Sequence, residues 1–235
     1  MLKNTELGNI LFLDIETVPQ KPSYEELDER FKKLWDKKVE HLRKSEEETS
    51  SNLYPRAGIY AEFGKIVCIS VGYFHNSTLR ITSFYSHDEE QLLLDFSKML
   101  NNHFTGGSYL LCAHNGKEFD FPYIARRMII NKIELPVLLD IAGKKPWEIN
   151  HLDTMELWKF GDFKNYTSLD LLTAIFGIPS PKDDINGADV WKVYWQENDL
   201  ERIKTYCQKD VISLAQLMKA YRIEPLILDD DIVYV

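Results

Sequence analysis

Asp14 and Glu16 stand one residue apart in the stretch FLDIETVPQ, directly after the apolar run Ile10-Leu11-Phe12-Leu13. The run predicts a buried strand over residues 9–14, and side chains at i and i+2 of a strand share a face. Two carboxylates about 4 Å apart repel by ~4 kcal/mol at an effective dielectric near 20. Burial adds a desolvation cost to each. Three arrangements relieve the conflict. One acid is protonated, with a raised pKa; the strand ends early and leaves both in water; or a divalent cation lies between them.

Two later stretches carry acids in comparable settings. HNGKEFDFPYI, residues 114–124, follows the apolar run YLLCA and so falls at the carboxyl end of a strand, where sites form in open α/β sheets. Asn115-Gly116 reads as a turn. Asp120 then stands at or just before a helix start, either as a cap beside core aromatics or as a site acid. YCQKD, residues 206–210, lies inside a late helix. Tyr206 and Asp210 are four apart and share a face with Ile203 and Leu214, which should be buried. An acid on that stripe needs a partner; a distant hydrogen-bond donor is one solution.

The elements that must position these residues follow from periodicity. Residues 21–51 are charge-rich, with Leu27, Phe31, Leu34, Trp35, Val39 and Leu42 at helical spacing and a polar loop over 45–52. Residues 65–73 and 78–85 predict two strands of a hairpin. Asp88 opens a helix to about residue 102, and 109–113 is another buried strand. Helices are predicted over 121–131, 168–176 (ended by Gly177) and 199–221, the last with Asp199 as N-cap. Strands first, then mixed β and α, then helices predict one α/β domain over 1–235 with a mixed sheet flanked by helices. A helical insertion occupies about 21–60.

The 235 residues are 44% hydrophobic, enough to bury a sizeable core. No apolar run approaches the ~20 residues of a membrane span, and MLKNTELGN lacks the apolar centre of a signal peptide. Cys68, Cys112 and Cys207 are scattered and odd in number, which predicts reduced core cysteines in a cytoplasmic protein, not zinc ligands or a disulfide frame. A net charge of −9 argues against a protein that coats duplex nucleic acid. It is compatible with a nuclease, whose metal-binding carboxylates make it acidic and whose bound ions reverse the local field.

Taken in order, D-x-E, N-x-x-x-F-D and Y-x-x-x-D resemble the three motifs of the DEDD superfamily of 3′-to-5′ exonucleases, which have the ribonuclease-H-like fold. Thr205 stands where the histidine variant would need His, so the tyrosine variant is the match. FLDIETVP, AEFGKIVCISVGY, HNGKEFDFPYIARR, HLDTMELW, SLDLLTAIFGIP and YCQKDV are similar to stand-alone exonucleases related to the proofreading domain of B-family DNA polymerases. No motif residue departs from the pattern; residues 21–51 are the least diagnostic part. The resemblance implies hydrolysis of a phosphodiester with two divalent ions, Mg²⁺ or Mn²⁺, about 3.5–4 Å apart. Asp14 would bridge both ions, Glu16 and Asp210 would complete the nucleophile-side site, and Asp120 would hold the other largely through water. Tyr206 would orient the attacking water. Thr17, Asn115 and Phe119 would meet the strand end. The implied substrate is the 3′ end of single-stranded DNA, favoured over RNA, in a DNA-repair setting. Any polymerase or helicase partner would be a separate chain, and no membrane is involved.

Further candidates surround these motifs. His114 approaches the substrate or is a strand-end residue held by backbone. Phe121 and Tyr123, like Phe119, stack bases or fill the core. Asp153 is a supporting acid or a turn cap; Arg126 and Arg127 bind the strand or form surface ion pairs; Lys182 touches phosphate or belongs to a solvated loop. Two rival functions remain: an exoribonuclease using the same site, and a non-catalytic nucleic-acid-binding module.

Overall fold

Residues Ile10–Pro19 form strand β1, and its alternation sorts the side chains onto two faces. Leu11, Leu13 and Ile15 enter one cluster of buried residues; Ile10 and Phe12 enter another. Asp14 and Glu16 continue the second row. The strand does not end at Asp14, as the sequence predicts. It runs on to Pro19 because strand β2 (Gly64–His75) pairs with it antiparallel from Leu11–Tyr73 to Pro19–Gly64. A register shift between Glu16 and Thr17 marks a bulge, a device that re-aims side chains beside sites.

The computed structural model describes residues 5–162, 164–179 and 184–235. Between β1 and β2 the long helix expected over 21–51 is broken. Helix α1 covers Glu29–Glu40, α2 covers Ser50–Leu53, and a 3-10 helix follows over Tyr54–Ile59. Asp28 starts α1 by accepting from the N–H groups of Arg30 and Phe31. Thr49 and Asn52 exchange hydrogen bonds as a capping box, which starts a new helix inside the expected loop. Leu27, Trp35, Val39, Leu53, Tyr54 and Ala57 form a cluster of their own. Leu42 lies beyond α1 yet packs on it, whereas Leu34 is 46% exposed and leaves the predicted apolar stripe.

Strand β3 (Thr78–Tyr85) returns from β2 as the predicted hairpin. Helix α3 (Glu89–His103) follows its Asp88 cap, then strand β4 (Leu110–Ala113) and helix α4 (Asp120–Ile130). Strand β5 (Leu152–Asp153) runs into helix α5 (Thr154–Lys159). Helix α6 (Leu169–Phe176) is capped by Ser168 and ended by Gly177 at φ 66°. A short α7 (Val190–Lys192) passes into a π turn, Val193–Glu197. The long α8 (Leu200–Tyr221) starts at its predicted Asp199 cap. Residues 228–235 supply strand β6 (Ile232–Tyr234). The sheet order is β5-β4-β1-β2-β3-β6, with β4, β5 and β6 joining parallel and the β1-β2-β3 unit antiparallel. This is the mixed α/β sheet expected of the ribonuclease-H-like fold.

Helices α3 and α4 pack on the Leu11, Leu13 and Ile15 face; α8 packs on the other. Arg127 of α4 is neither exposed nor free for a substrate strand. It is 5% exposed and pairs with Glu89 of α3, Nε to Oε1 at 2.9 Å. Its Nη1 donates to the Ala61 carbonyl at 2.8 Å, and Glu89 also accepts from the Ile66 N–H at 2.7 Å. This network ties the end of the insertion to β2 and both helices. Arg126 is exposed. Lys182 lies outside the described residues. No helix among those described is long and apolar enough to cross a membrane.

Candidate functional site

The face of β1 that carries Asp14 and Glu16 meets the buried stripe of α8 that carries Tyr206, Cys207 and Asp210. Ile203, Tyr206, Asp210 and Leu214 are all buried there, so the helical spacing puts Asp210 where the sequence expects it. Cys207 Sγ donates to the Asp14 carbonyl at 3.3 Å and lies 3.4 Å from Asp14 Oδ2. One ligand atom each from Asp14, Glu16 and Cys207 lie within 4.8 Å of one another.

Asp120 approaches from a third element. It is the first residue of α4; the cap position is Phe119, which makes no side-chain cap bond. The cap reading of Asp120 therefore does not hold. Its buried carboxylate accepts from its own backbone N–H and from that of Ile15, the residue between Asp14 and Glu16. β1, α4 and α8 thus bring four carboxylates together.

Their carboxylates disfavour one another's ionisation. Burial pushes the Asp14 carboxyl well above the usual range, and Asp210, Glu16 and Asp120 push it further. Burial likewise raises Glu16, with Asp210 the strongest acid acting on it. Burial raises Asp120 to about 7, with Asp153 adding to the rise while the backbone N–H bonds oppose it. The Tyr206 phenol is raised by burial and then by Asp210, Glu16 and Asp14; its hydroxyl hydrogen-bonds Asp210 and stays protonated. An acidic pocket with oxygen donors on three elements and a tyrosine hydroxyl fits a hard divalent cation, which would turn the repulsion into attraction.

A cleft of about 470 Å³ opens over part of this cluster; Asp120 is not among its lining residues. Asp14, Glu16, Tyr206 and Asp210 line it, together with Thr17 and Phe119. Asn115, expected at the substrate, is not among the lining residues. It turns the chain at φ 63°, and its N–H donates to Asp153 at 3.0 Å. Asp153 also accepts from Lys117 N at 3.1 Å and Met155 N at 3.0 Å. It is therefore both turn holder and cap of α5, and a charge near Asp120. Phe121 and Tyr123 are core residues, leaving Phe119 as the aromatic of the three at the cleft. His114 is held by the Thr154 hydroxyl at 2.9 Å and the Thr167 carbonyl at 3.0 Å.

Three contributions escape the motifs. Cys207 enters the acid cluster, and its place was readable: it is one helical turn from Asp210. Pro55, Arg56, Gly58 and Ile59 form one wall of the cleft, and Gly187, Ala188 and Trp191 another. Nothing local marks these residues, because only tertiary packing brings them to the site.

The sequence model of a family described as "Predicted 3'-5' exonuclease related to the exonuclease domain of PolB" matches residues 59–218, more than half of the chain. The fold is similar to that of the family B DNA polymerase from the hyperthermophilic archaeon Pyrobaculum calidifontis, with a TM-score of 0.51 and 16% identity. The match covers 91% of this chain and 24% of the polymerase.

Proposed function

We propose, for a chain that belongs to the family of predicted 3′-5′ exonucleases related to the exonuclease domain of PolB, a metal-dependent hydrolase that removes nucleotides from the 3′ end of single-stranded DNA. The observation that carries this reading is the convergence of Asp14, Glu16, Asp120 and Asp210 from three elements beside the Tyr206 hydroxyl. We take residues 1–235 as one domain built around that site.

Asp14, Glu16 and Asp210 would hold one divalent ion, and Asp14 with Asp120 a second. Mg²⁺ or Mn²⁺, when bound, supplies Lewis acidity that lowers the pKa of an attacking water and offsets charge on the leaving 3′ oxygen. The chain's own residues do the positioning. Tyr206, kept protonated, donates to Asp210 and presents its oxygen lone pair to a water. That arrangement orients a nucleophile without requiring a strong protein base. Phe119 offers an aromatic face to the terminal base, a contact that tolerates any base and contributes about 1–3 kcal/mol. Thr17, whose side chain hydrogen-bonds the Tyr123 hydroxyl, sits on the cleft wall after the bulge. Asn115 acts through the turn that places Phe119 and Asp120.

A time course on 5′-labelled DNA and RNA single strands of one sequence tests this, with Mg²⁺, with Mn²⁺ and with chelator, beside Asp14→Ala. A metal-dependent descending ladder on DNA that the variant lacks is the expected result. A ladder on RNA alone keeps the chemistry and overturns the substrate. No ladder on either overturns the enzyme reading in favour of a binding module.

A further inference from the structure

Among the described residues lining the cleft, Arg56 is the basic one, and it shares that lining with Asp14, Glu16 and Asp210. It is exposed, and among the described residues it makes no ion pair or side-chain hydrogen bond. A guanidinium that shares a cleft with three acids and pairs with none is available to an anionic ligand. Its planar fork of donors matches a phosphate better than a lysine would.

The backbone beneath Arg56 is fixed. It belongs to the 3-10 helix Tyr54–Ile59, whose Tyr54 and Ala57 are buried. Gly58 presses on β1 so closely that a Cβ there would lie 3.0 Å from the Val18 backbone. The Gly58 carbonyl accepts from the Tyr123 hydroxyl at 2.7 Å. The turn is therefore clamped between β1 and α4, and Arg56 projects from a rigid base.

We propose that Arg56 binds a backbone phosphate of the single strand close to its 3′ end, which makes the insertion before β2 part of the substrate-binding surface. This rests on the exonuclease reading above. Trp191, on the neighbouring wall, gives the adjoining nucleotide an apolar surface.

The test is fluorescence anisotropy of a labelled DNA single strand across a salt series, with Ca²⁺ replacing the catalytic ion. Cleavage kinetics in Mg²⁺ run alongside. Arg56→Ala is expected to raise Kd about tenfold and to reduce the magnitude of the log Kd–log salt slope by about 0.7, the value for one lost phosphate contact on a single strand. KM rises while kcat stays within about twofold, as for uniform binding. Arg56→Lys keeps the slope, because it keeps the charge. Both variants keep the wild-type Tm, which a structural role would lower. If the wild type cuts DNA and Arg56→Ala shows wild-type Kd and slope, the assignment of Arg56 is overturned and the exonuclease reading stands. If the wild type neither binds nor cuts, both fall together.

Discussion

The thiol of Cys207 lies 3.4 Å from the Asp14 carboxylate and also donates to the Asp14 carbonyl, across 193 positions of sequence. A neutral sulfur donor thus stands inside a group otherwise made of hard oxygen ligands. Thiolates favour Zn²⁺ over Mg²⁺. Zn²⁺ added in competition with Mn²⁺ should therefore inhibit the wild type, and Cys207→Ser should need several-fold more Zn²⁺ for half-inhibition. Equal half-inhibitory concentrations for the two proteins would show that sulfur takes no part in binding.

Asp14→Ala or Asp210→Ala should lower cleavage by at least about 10³-fold, because each removes a proposed metal ligand. The same changes relieve repulsion in the metal-free protein. If that relief is about 1 kcal/mol, Tm rises by about 2–4 °C in a domain of this size. Tyr206→Phe should slow cleavage by about 10–100-fold, less than loss of an acid, since the ligands remain. Single-turnover cleavage with calorimetry on the same preparations checks both halves.

Metal-free stability should fall as pH rises. Asp14, Glu16 and Asp120 have folded pKa values above their unfolded ones, with Asp120 at about 7. Between about pH 4, where unfolded carboxylates titrate, and pH 7, the folded state binds more protons than the unfolded state. Raising pH through that window therefore costs stability. Mn²⁺ should flatten the dependence by favouring the ionised acids. Urea denaturation at pH 5 and pH 8, with chelator and with Mn²⁺, reads this directly; a chelated protein more stable at pH 8 would contradict it.

Arg127→Ala should destabilise by about 3–5 kcal/mol, the usual cost of leaving one partner of a buried ion pair alone. Glu89→Ala should cost a similar amount, and the double variant less than the sum, since the two residues share one network. A denaturant-midpoint cycle measures the coupling.

Much of this site was legible because three local patterns each carry their own geometry. The i, i+2 spacing of Asp14 and Glu16 fixes a common face whatever the strand pairs with. The i, i+4 spacing of Tyr206 and Asp210 does the same on a helix. The extension of β1 to Pro19 was not legible, since pairing with β2 overrides a sequence that turns polar at Asp14. Arg127 was misread for a related reason: an arginine on a helix gives no hint that Glu89, 38 positions away, waits in the core. The insertion shows the same limit. Its apolar spacing signalled helix, but the Thr49 cap and the packing of Trp35 divided it into pieces, and Arg56 came to the cleft through that folding alone.

Strand β6 has a bearing on how molecules of this protein behave toward one another. It forms an outer border of the sheet with three residues, and Val233 and Tyr234 are exposed upon it. A border of this kind invites edge-to-edge joining with a second copy. Asp229, Asp230 and Asp231 stand immediately before it, so two such borders meet as like charges. At neutral pH these three aspartates oppose such joining, and concentrated salt or acid weakens the barrier they provide.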